Sequence, residues 1–138
     1  MFKFLKQSKN QEVSEQTDAN SNALRLLIHL SLVDGNIDNS EIEELKKFIK
    51  DKSLGQDLSA FLEKEIDAVK LSSSFYDEIF RINNVFSDNE KLELIELIWS
   101  LIIADDVIDP YEENLFYRIG ELIKVKRTLL NKIKSRAS

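Results

Sequence analysis

The chain of 138 residues contains no cysteine, one histidine, one proline and three glycines. Without cysteine there is no disulfide framework, no thiolate nucleophile and no cysteine-ligated metal site. One histidine also excludes a histidine-rich zinc site. Because glycine and proline are the main breakers of helices, their scarcity predicts a chain that is helical throughout.

Long uncharged runs and catalytic motifs are also missing. No apolar segment reaches the roughly 18–20 residues that a membrane span needs, and the first six residues are too short and too charged for a secretory signal. The chain carries no glycine-rich phosphate loop, no nucleophile elbow and no paired glutamate and histidine of a metalloprotease. We therefore expect a cytoplasmic protein that is not an enzyme and has no cofactor other than a divalent cation.

Charge is distributed unevenly along the chain. The net charge is −6, yet residues 122–138 carry six basic side chains and no acidic one, so −12 remains on the other 121 residues. So acidic a body repels nucleic-acid phosphates and attracts cations or a basic partner. The basic end fits the last turns of C-terminal helices, where positive charge suits the helix dipole.

The apolar pattern predicts one helical domain. Residues 7–22 are polar, so we expect residues 1–19 to form a flexible leader before a domain at 20–138. Residues 23–33 and 94–104 are apolar almost all round, which is typical of buried central helices. Amphipathic segments follow both runs. The segment at 74–84 places Phe75, Ile79, Phe80 and Asn83 on one face. The expected fold is all-α: a compact bundle of about seven helices with two buried central helices and an internal pseudo-twofold duplication.

The duplication rests on an acidic phrase that occurs twice. Residues 33–41 (VDGNIDNSE) match residues 104–112 (ADDVIDPYE) with a shift of 71 positions. Each phrase follows a buried helix and precedes an amphipathic one. The six matched carboxylates are the candidate metal ligands of the chain: Asp34, Asp38, Glu41, Asp105, Asp109 and Glu112.

Two interpretations of these carboxylates stay open. In the first, Asp38 and Asp109 are N-caps whose capping boxes are closed by Glu41 and Glu112, and Asp34 and Asp105 form Asx-turns. In the second, each loop presents oxygen ligands to a divalent cation. The spacing differs from an EF-hand loop, because the sixth position is Asn39 and the twelfth is Leu45.

The doubled phrase resembles the tellurite-resistance TerB family, in its small stand-alone subgroup. The resemblance covers roughly residues 20–136, and Asp106 departs from it where glycine is usual. It implies a bacterial protein of the stress response to metals and oxidants, in the cytoplasm or at the inner face of the membrane. It implies divalent-cation binding at the six matched carboxylates. It also implies a protein partner, with membrane contact that is at most peripheral.

Two hypotheses about function follow. The first is a non-enzymatic module that binds divalent cations at the acidic loops and serves a stress-response complex. The alternative is an interaction adaptor, co-chaperone-like or associated with a membrane complex, whose loops are purely structural helix caps. Among single residues, we expect His29 to be a satisfied core or half-buried histidine, and Trp99 and Phe116 to lie in the core. A close helix–helix contact would explain Gly120 in the middle of a helix.

Overall fold

The structure is a computed structural model that describes residues 19–32, 36–72, 75–104 and 108–137. These residues form seven α-helices and no strand, which confirms the all-α fold. The first helix, α1, covers residues 19–31. The others are α2 (Asn39–Asp51), α3 (Leu58–Leu71), α4 (Tyr76–Val85), α5 (Asp88–Ile102), α6 (Pro110–Leu122) and α7 (Arg127–Ala137).

The two predicted central helices, α1 and α5, contribute about half of the buried core residues. Leu24, Leu26, Leu27 and Ile28 of α1 are fully buried, as are Ile95 and Ile98 of α5. Trp99 and Phe116 lie in the same core with their ring centroids 4.9 Å apart, as the sequence predicts. Residues from all seven helices contribute to this one cluster, so the described part of the chain has a single core.

The internal duplication extends well beyond the acidic phrase. Helices α2 and α6 both have 13 residues, and their bounds differ by the same 71 positions. The turns that end them also match. Leu54 N–H donates to Ile49 C=O at 3.0 Å, and Val125 N–H donates to Gly120 C=O at 2.8 Å. This six-residue closure is the Schellman motif, which satisfies carbonyls that the helix end leaves unpaired.

Each of these turns needs one residue in the left-handed region. Ser53 has a φ of 53° and Lys124 a φ of 67°, and the two are again 71 positions apart. Such a backbone is unfavourable for a residue other than glycine and is held here by the surrounding hydrogen bonds. The structure therefore repeats a strained turn at a place where the sequences of the two halves, Lys-Ser-Leu and Ile-Lys-Val, look unrelated.

Helix α4 has no counterpart in the repeat and joins the two halves. Its Asn83 was expected on the apolar face with Phe75, Ile79 and Phe80. Instead, the Asn83 side-chain amide donates to the main-chain carbonyl of Leu122 at 2.9 Å, which satisfies a carbonyl in the last turn of α6. Ile79 is buried as expected, whereas Phe80 points outward with 67% of its surface exposed. The prediction for Phe80 was wrong because residue 80 lies on the edge of the buried face.

Gly120 marks the closest helix–helix approach in the second half. A Cβ atom added at this residue would lie 2.5 Å from Cδ2 and 2.7 Å from Cδ1 of Leu130, which is fully buried in α7. Real side-chain contacts do not reach such distances. The helix–helix contact predicted for Gly120 is therefore present, and its partner is α7.

Part of the sequence-based prediction lies outside the described residues. The leader at 1–19 is described only at residue 19, which already belongs to α1. The inner parts of the two acidic loops, residues 33–35 and 105–107, are likewise not described. The outer parts of both loops are described and form the candidate site.

Candidate functional site

The first acidic loop ends in a complete capping box. Asp38 has an extended backbone (φ −79°, ψ 172°), and its Oδ1 accepts from Glu41 N–H at 2.9 Å and from the Ser40 hydroxyl at 2.7 Å. In return, Asp38 N–H donates to Glu41 Oε1 at 3.4 Å. These hydrogen bonds hold the pKa of Asp38 below its ordinary value, chiefly through the backbone N–H of Glu41. The predicted cap is confirmed, and it keeps Asp38 ionised.

The second loop is capped differently. Asp109 is the N-cap of α6, and its Oδ1 accepts from Tyr111 N–H at 2.8 Å, one position earlier than in the first loop. Pro110 occupies the first helical position, where its missing N–H leaves nothing unsatisfied. The N-cap at Asp109 is as predicted from the sequence, but the capping box expected with Glu112 does not form, because Asp109 accepts from the second helical N–H and not from the third. Glu112 lies half-buried in the first turn of the same helix.

The residues around the two loops also differ in exposure. Ile37 packs against the core before α2, whereas its counterpart Ile108 is 46% exposed. Tyr111, which replaces Ser40 in the second copy, is 60% exposed. An apolar pair therefore borders the second loop in contact with solvent. The loops are equivalent in sequence position but not in surface chemistry.

The six predicted metal ligands are only partly within the described residues. Asp34 and Asp105, on which the cation interpretation depends most, lie outside the described residues. Within the described ranges, no three histidine, aspartate or glutamate side chains form a group suited to a metal ion. The donor chemistry of the outer residues nevertheless fits a hard cation. A carboxylate offers about four lone-pair sites, so two accepted hydrogen bonds do not exhaust Asp38.

A buried polar pair between α1 and α4 was not predicted. His29 Nε2 lies 3.9 Å from Glu78 Oε1, and the two side chains are 17% and 8% exposed. Neither His29 Nε2 nor Glu78 Oε2 has a hydrogen-bond partner among the described residues. Burial lowers the pKa of His29, and the Glu78 charge only partly opposes this. His29 is half-buried, as expected, whereas its carboxylate neighbour was not predicted because Glu78 lies 49 positions away in the sequence.

A second polar pair joins α1 to α3. Arg25 Nε donates to Glu65 Oε2 at 2.7 Å, and the Glu65 side chain is only 8% exposed. With the shift of 71, the counterparts of these residues are Glu96 and Arg136, which line one small surface pocket together. Opposite charges therefore occur at equivalent helices of the two halves. The basic residue lies on α1 and the acidic one on α3, whereas the acidic residue lies on α5 and the basic one on α7.

The comparison with known proteins agrees with the duplicated fold. The profile of the family described as "Tellurite resistance protein TerB" matches residues 20–135, which is most of the chain. The chain belongs to the TerB family. No curated protein and no solved structure matches it. The matched range therefore includes both acidic loops and extends from α1 to α7. None of these helices combines the length and the apolar content that crossing a membrane requires.

Proposed function

We propose that this TerB domain is a non-enzymatic module of a bacterial stress response to tellurite, metals or oxidants, and that its two acidic loops bind a divalent cation. The observation that carries the proposal is the repetition of the loops within the duplicated fold. Both loops lie between a buried helix and a 13-residue helix with an aspartate N-cap. The ligands are Asp34, Asp38 and Glu41 in the first loop and Asp105, Asp109 and Glu112 in the second.

The geometry of the first loop limits how the cation binds. Asp38 and Glu41 remain in the capping box, because breaking it would cost about 0.5–2 kcal/mol of helix stability. The positive end of the α2 dipole also lies beside these carboxylates and weakens their attraction for a cation. We therefore expect weak affinity, with Asp34 and Asp105 as the ligands whose loss has the largest effect.

The test is thermal unfolding in EDTA and in Ca²⁺, Mg²⁺, Mn²⁺ or Zn²⁺, with the wild-type protein and the Asp34→Asn/Asp105→Asn variant. A cation at about 100 times its dissociation constant adds about 2.7 kcal/mol to the free energy of unfolding. That amounts to several degrees in Tm for a domain of this size. Asp57→Asn is the matched control, since it removes a carboxylate outside the loops while asparagine still caps α3.

A rise in Tm that occurs in the wild type and the control but not in the double variant supports the cation site. The absence of any rise at millimolar cation in the wild type rejects it.

The second candidate function is an adaptor that binds a protein partner through its acidic surface, in the cytoplasm or in a complex at the inner face of the membrane. The exposed pair of Ile108 and Tyr111 beside Asp109 favours it, because an apolar pair rimmed by charge is typical of interaction sites. A photo-crosslinking amino acid placed at position 111 should form a crosslink to one discrete partner protein in the cell that expresses this protein. The same residue at exposed position 124 is the control, and equal crosslinking from both positions would reject this function.

A further inference from the structure

Helix α4 presents one continuous face to solvent. Half of its ten residues are exposed, and they form the α4 strip: Tyr76, Asp77, Phe80, Arg81 and Asn84. They recur at spacings of three or four, and positions so spaced lie on the same side of a helix. No other element among the described residues covers the strip. It also occurs once per chain, because α4 has no counterpart in the internal duplication.

Two aromatic side chains occupy the middle of the α4 strip. Phe80 is 67% exposed, and Tyr76, one turn before it, is 54% exposed. The Tyr76 ring also stacks on Phe75 with their centroids 5.3 Å apart, which restricts its motion. Aromatic residues are enriched in protein–protein interfaces relative to the rest of the surface. The strip therefore has an apolar centre suited to a protein contact.

The two charged residues of the strip lie along one edge of it. Asp77 and Arg81 are one helical turn apart, yet neither takes part in an ion pair within the described ranges. Their edge borders a groove of about 1270 Å³ between α1, α3 and α4. Across this groove, Arg25 and Glu65 are already paired with each other at 2.7 Å, and Glu78 is buried against α1. Both charges of the edge are thus available to a partner.

A second copy of α4 complements the strip when the two helices run antiparallel. A twofold axis that passes between the helices, at right angles to them and level with residue 79, keeps equivalent edges together and exchanges the helix ends. Asp77 then lies opposite Arg81 of the partner subunit, and Arg81 lies opposite the partner subunit's Asp77. Phe80 lies only about 1.5 Å along the helix from the level of the axis, so the two Phe80 rings meet at the centre.

The pattern of charge selects this partner over others. A uniformly acidic surface would place a like charge against Asp77, and a uniformly basic surface would place one against Arg81, which weakens association. A second copy satisfies both residues in one arrangement. Because the same strip is used on both subunits, the contact closes as a dimer and does not extend into a chain of subunits.

We propose that α4 is the interface of a homodimer in which two copies of this chain pair antiparallel through Tyr76 and Phe80, with ion pairs between Asp77 and Arg81 of opposite subunits. A helix of ten residues is about 15 Å long, so the contact is smaller than the roughly 800 Å² per partner of a standard interface. The dimer is therefore weak and dissociates on dilution. The strip and the acidic loops are separate features, so this inference stands independently of the proposed function.

Charge reversal in sedimentation equilibrium tests the proposal. From micromolar to millimolar concentration, the wild-type chain should pass from the mass of a monomer to that of a dimer. Asp77→Arg makes the edge wholly positive and Arg81→Asp makes it wholly negative, so each variant alone should dimerise at least about tenfold more weakly. An equimolar mixture of these two variants brings unlike edges together and should recover the dimer. The double variant Asp77→Arg/Arg81→Asp only exchanges the charges and should dimerise like the wild type.

A pair of aromatic substitutions locates the contact. Phe80→Ser should abolish the dimer, whereas Tyr111→Ser, at a similarly exposed aromatic residue of α6, should leave it unchanged. All the substituted side chains are exposed, and a thermal unfolding curve of each variant checks that it is folded. A wild-type chain that stays monomeric at millimolar concentration overturns the proposal. So does a dimer that survives Phe80→Ser, or a mixture of the two charge variants with no more dimer than either variant alone.

Discussion

Replacing Gly120 by alanine tests the helix packing of the second half most directly. On an exposed helix, glycine to alanine gains about 1 kcal/mol, because alanine loses less conformational entropy on folding. In this protein the added Cβ meets both methyl groups of Leu130, at 2.5 and 2.7 Å, and its Cγ at 3.2 Å. Because Leu130 is fully buried, its side chain has little free space to turn away from the added methyl. Either the Leu130 side chain or helix α7 must therefore shift.

The expected magnitude follows from two opposing terms. Overpacking a closed core costs about 1–3 kcal/mol, and the gain in helix propensity offsets about 1 kcal/mol of it. We expect Gly120→Ala to lower the free energy of unfolding by up to about 2 kcal/mol and to lower Tm by up to several degrees. Leu130→Ala alone should cost about 2–5 kcal/mol, because Leu130 is fully buried and its loss leaves a cavity.

The assay is a double-mutant cycle by urea unfolding of the wild type, both single variants and the double variant. Because the new methyl enters the space that Leu130 vacates, Gly120→Ala should be neutral or stabilising in the Leu130→Ala background. The coupling energy should then be about 1–3 kcal/mol. Asn114→Ala in the exposed face of α6 is the control and should be slightly stabilising. The predicted contact between residue 120 and Leu130 would be refuted if Gly120→Ala alone raised stability or if the coupling energy were near zero.

Three further outcomes are expected from polar groups. Asp38→Ala should lower the free energy of unfolding by about 0.5–2 kcal/mol at pH 7, as measured by urea unfolding. Because the pKa of Asp38 in the folded state lies below 3.8, this difference should persist to pH 4 and disappear only under stronger acid. Because burial lowers the pKa of His29 from its ordinary value of 6.5, the folded state binds fewer protons at this residue than the unfolded state, and stability should fall as the pH drops below about 6.5. In a pH series of Tm values, His29→Leu should reduce this dependence on pH. Arg25→Met leaves the buried Glu65 carboxylate without its donor, so this variant should be less stable than Glu65→Gln by roughly 1–3 kcal/mol in chemical unfolding. Equal losses of stability in the two variants would contradict the role given to Arg25.

Local chemistry made much of the site predictable. The N-caps at Asp38 and Asp109 are short-range features, and both occur where the residue types indicate. The cap of α6 shows the limit of this reasoning. Asp109 accepts from the second helical residue and not from the third, a difference from Asp38 that the matched sequence positions do not indicate.

Contacts between distant segments were not predictable from periodicity. Phe80 fits the apolar pattern of α4, yet it is exposed, since the groove leaves that edge of the helix uncovered. Glu78 reads as an ordinary first-turn carboxylate, yet packing against α1 buries it beside His29. In both cases the pattern of one helix gives the direction of a side chain, while the position of the neighbouring helices decides its environment.

The sequence by itself determined the all-α class, the two buried central helices, the acidic loops at matched positions and the TerB family. These features depend on composition, on spacing within one helix and on a repeated phrase. The tertiary structure decided that the repeat continues into the left-handed turns at Ser53 and Lys124, that Gly120 receives Leu130, and that α4 opens a groove beside the start of α1. Those features arise from helices that meet only after folding, and a one-dimensional pattern carries no information about which surfaces meet.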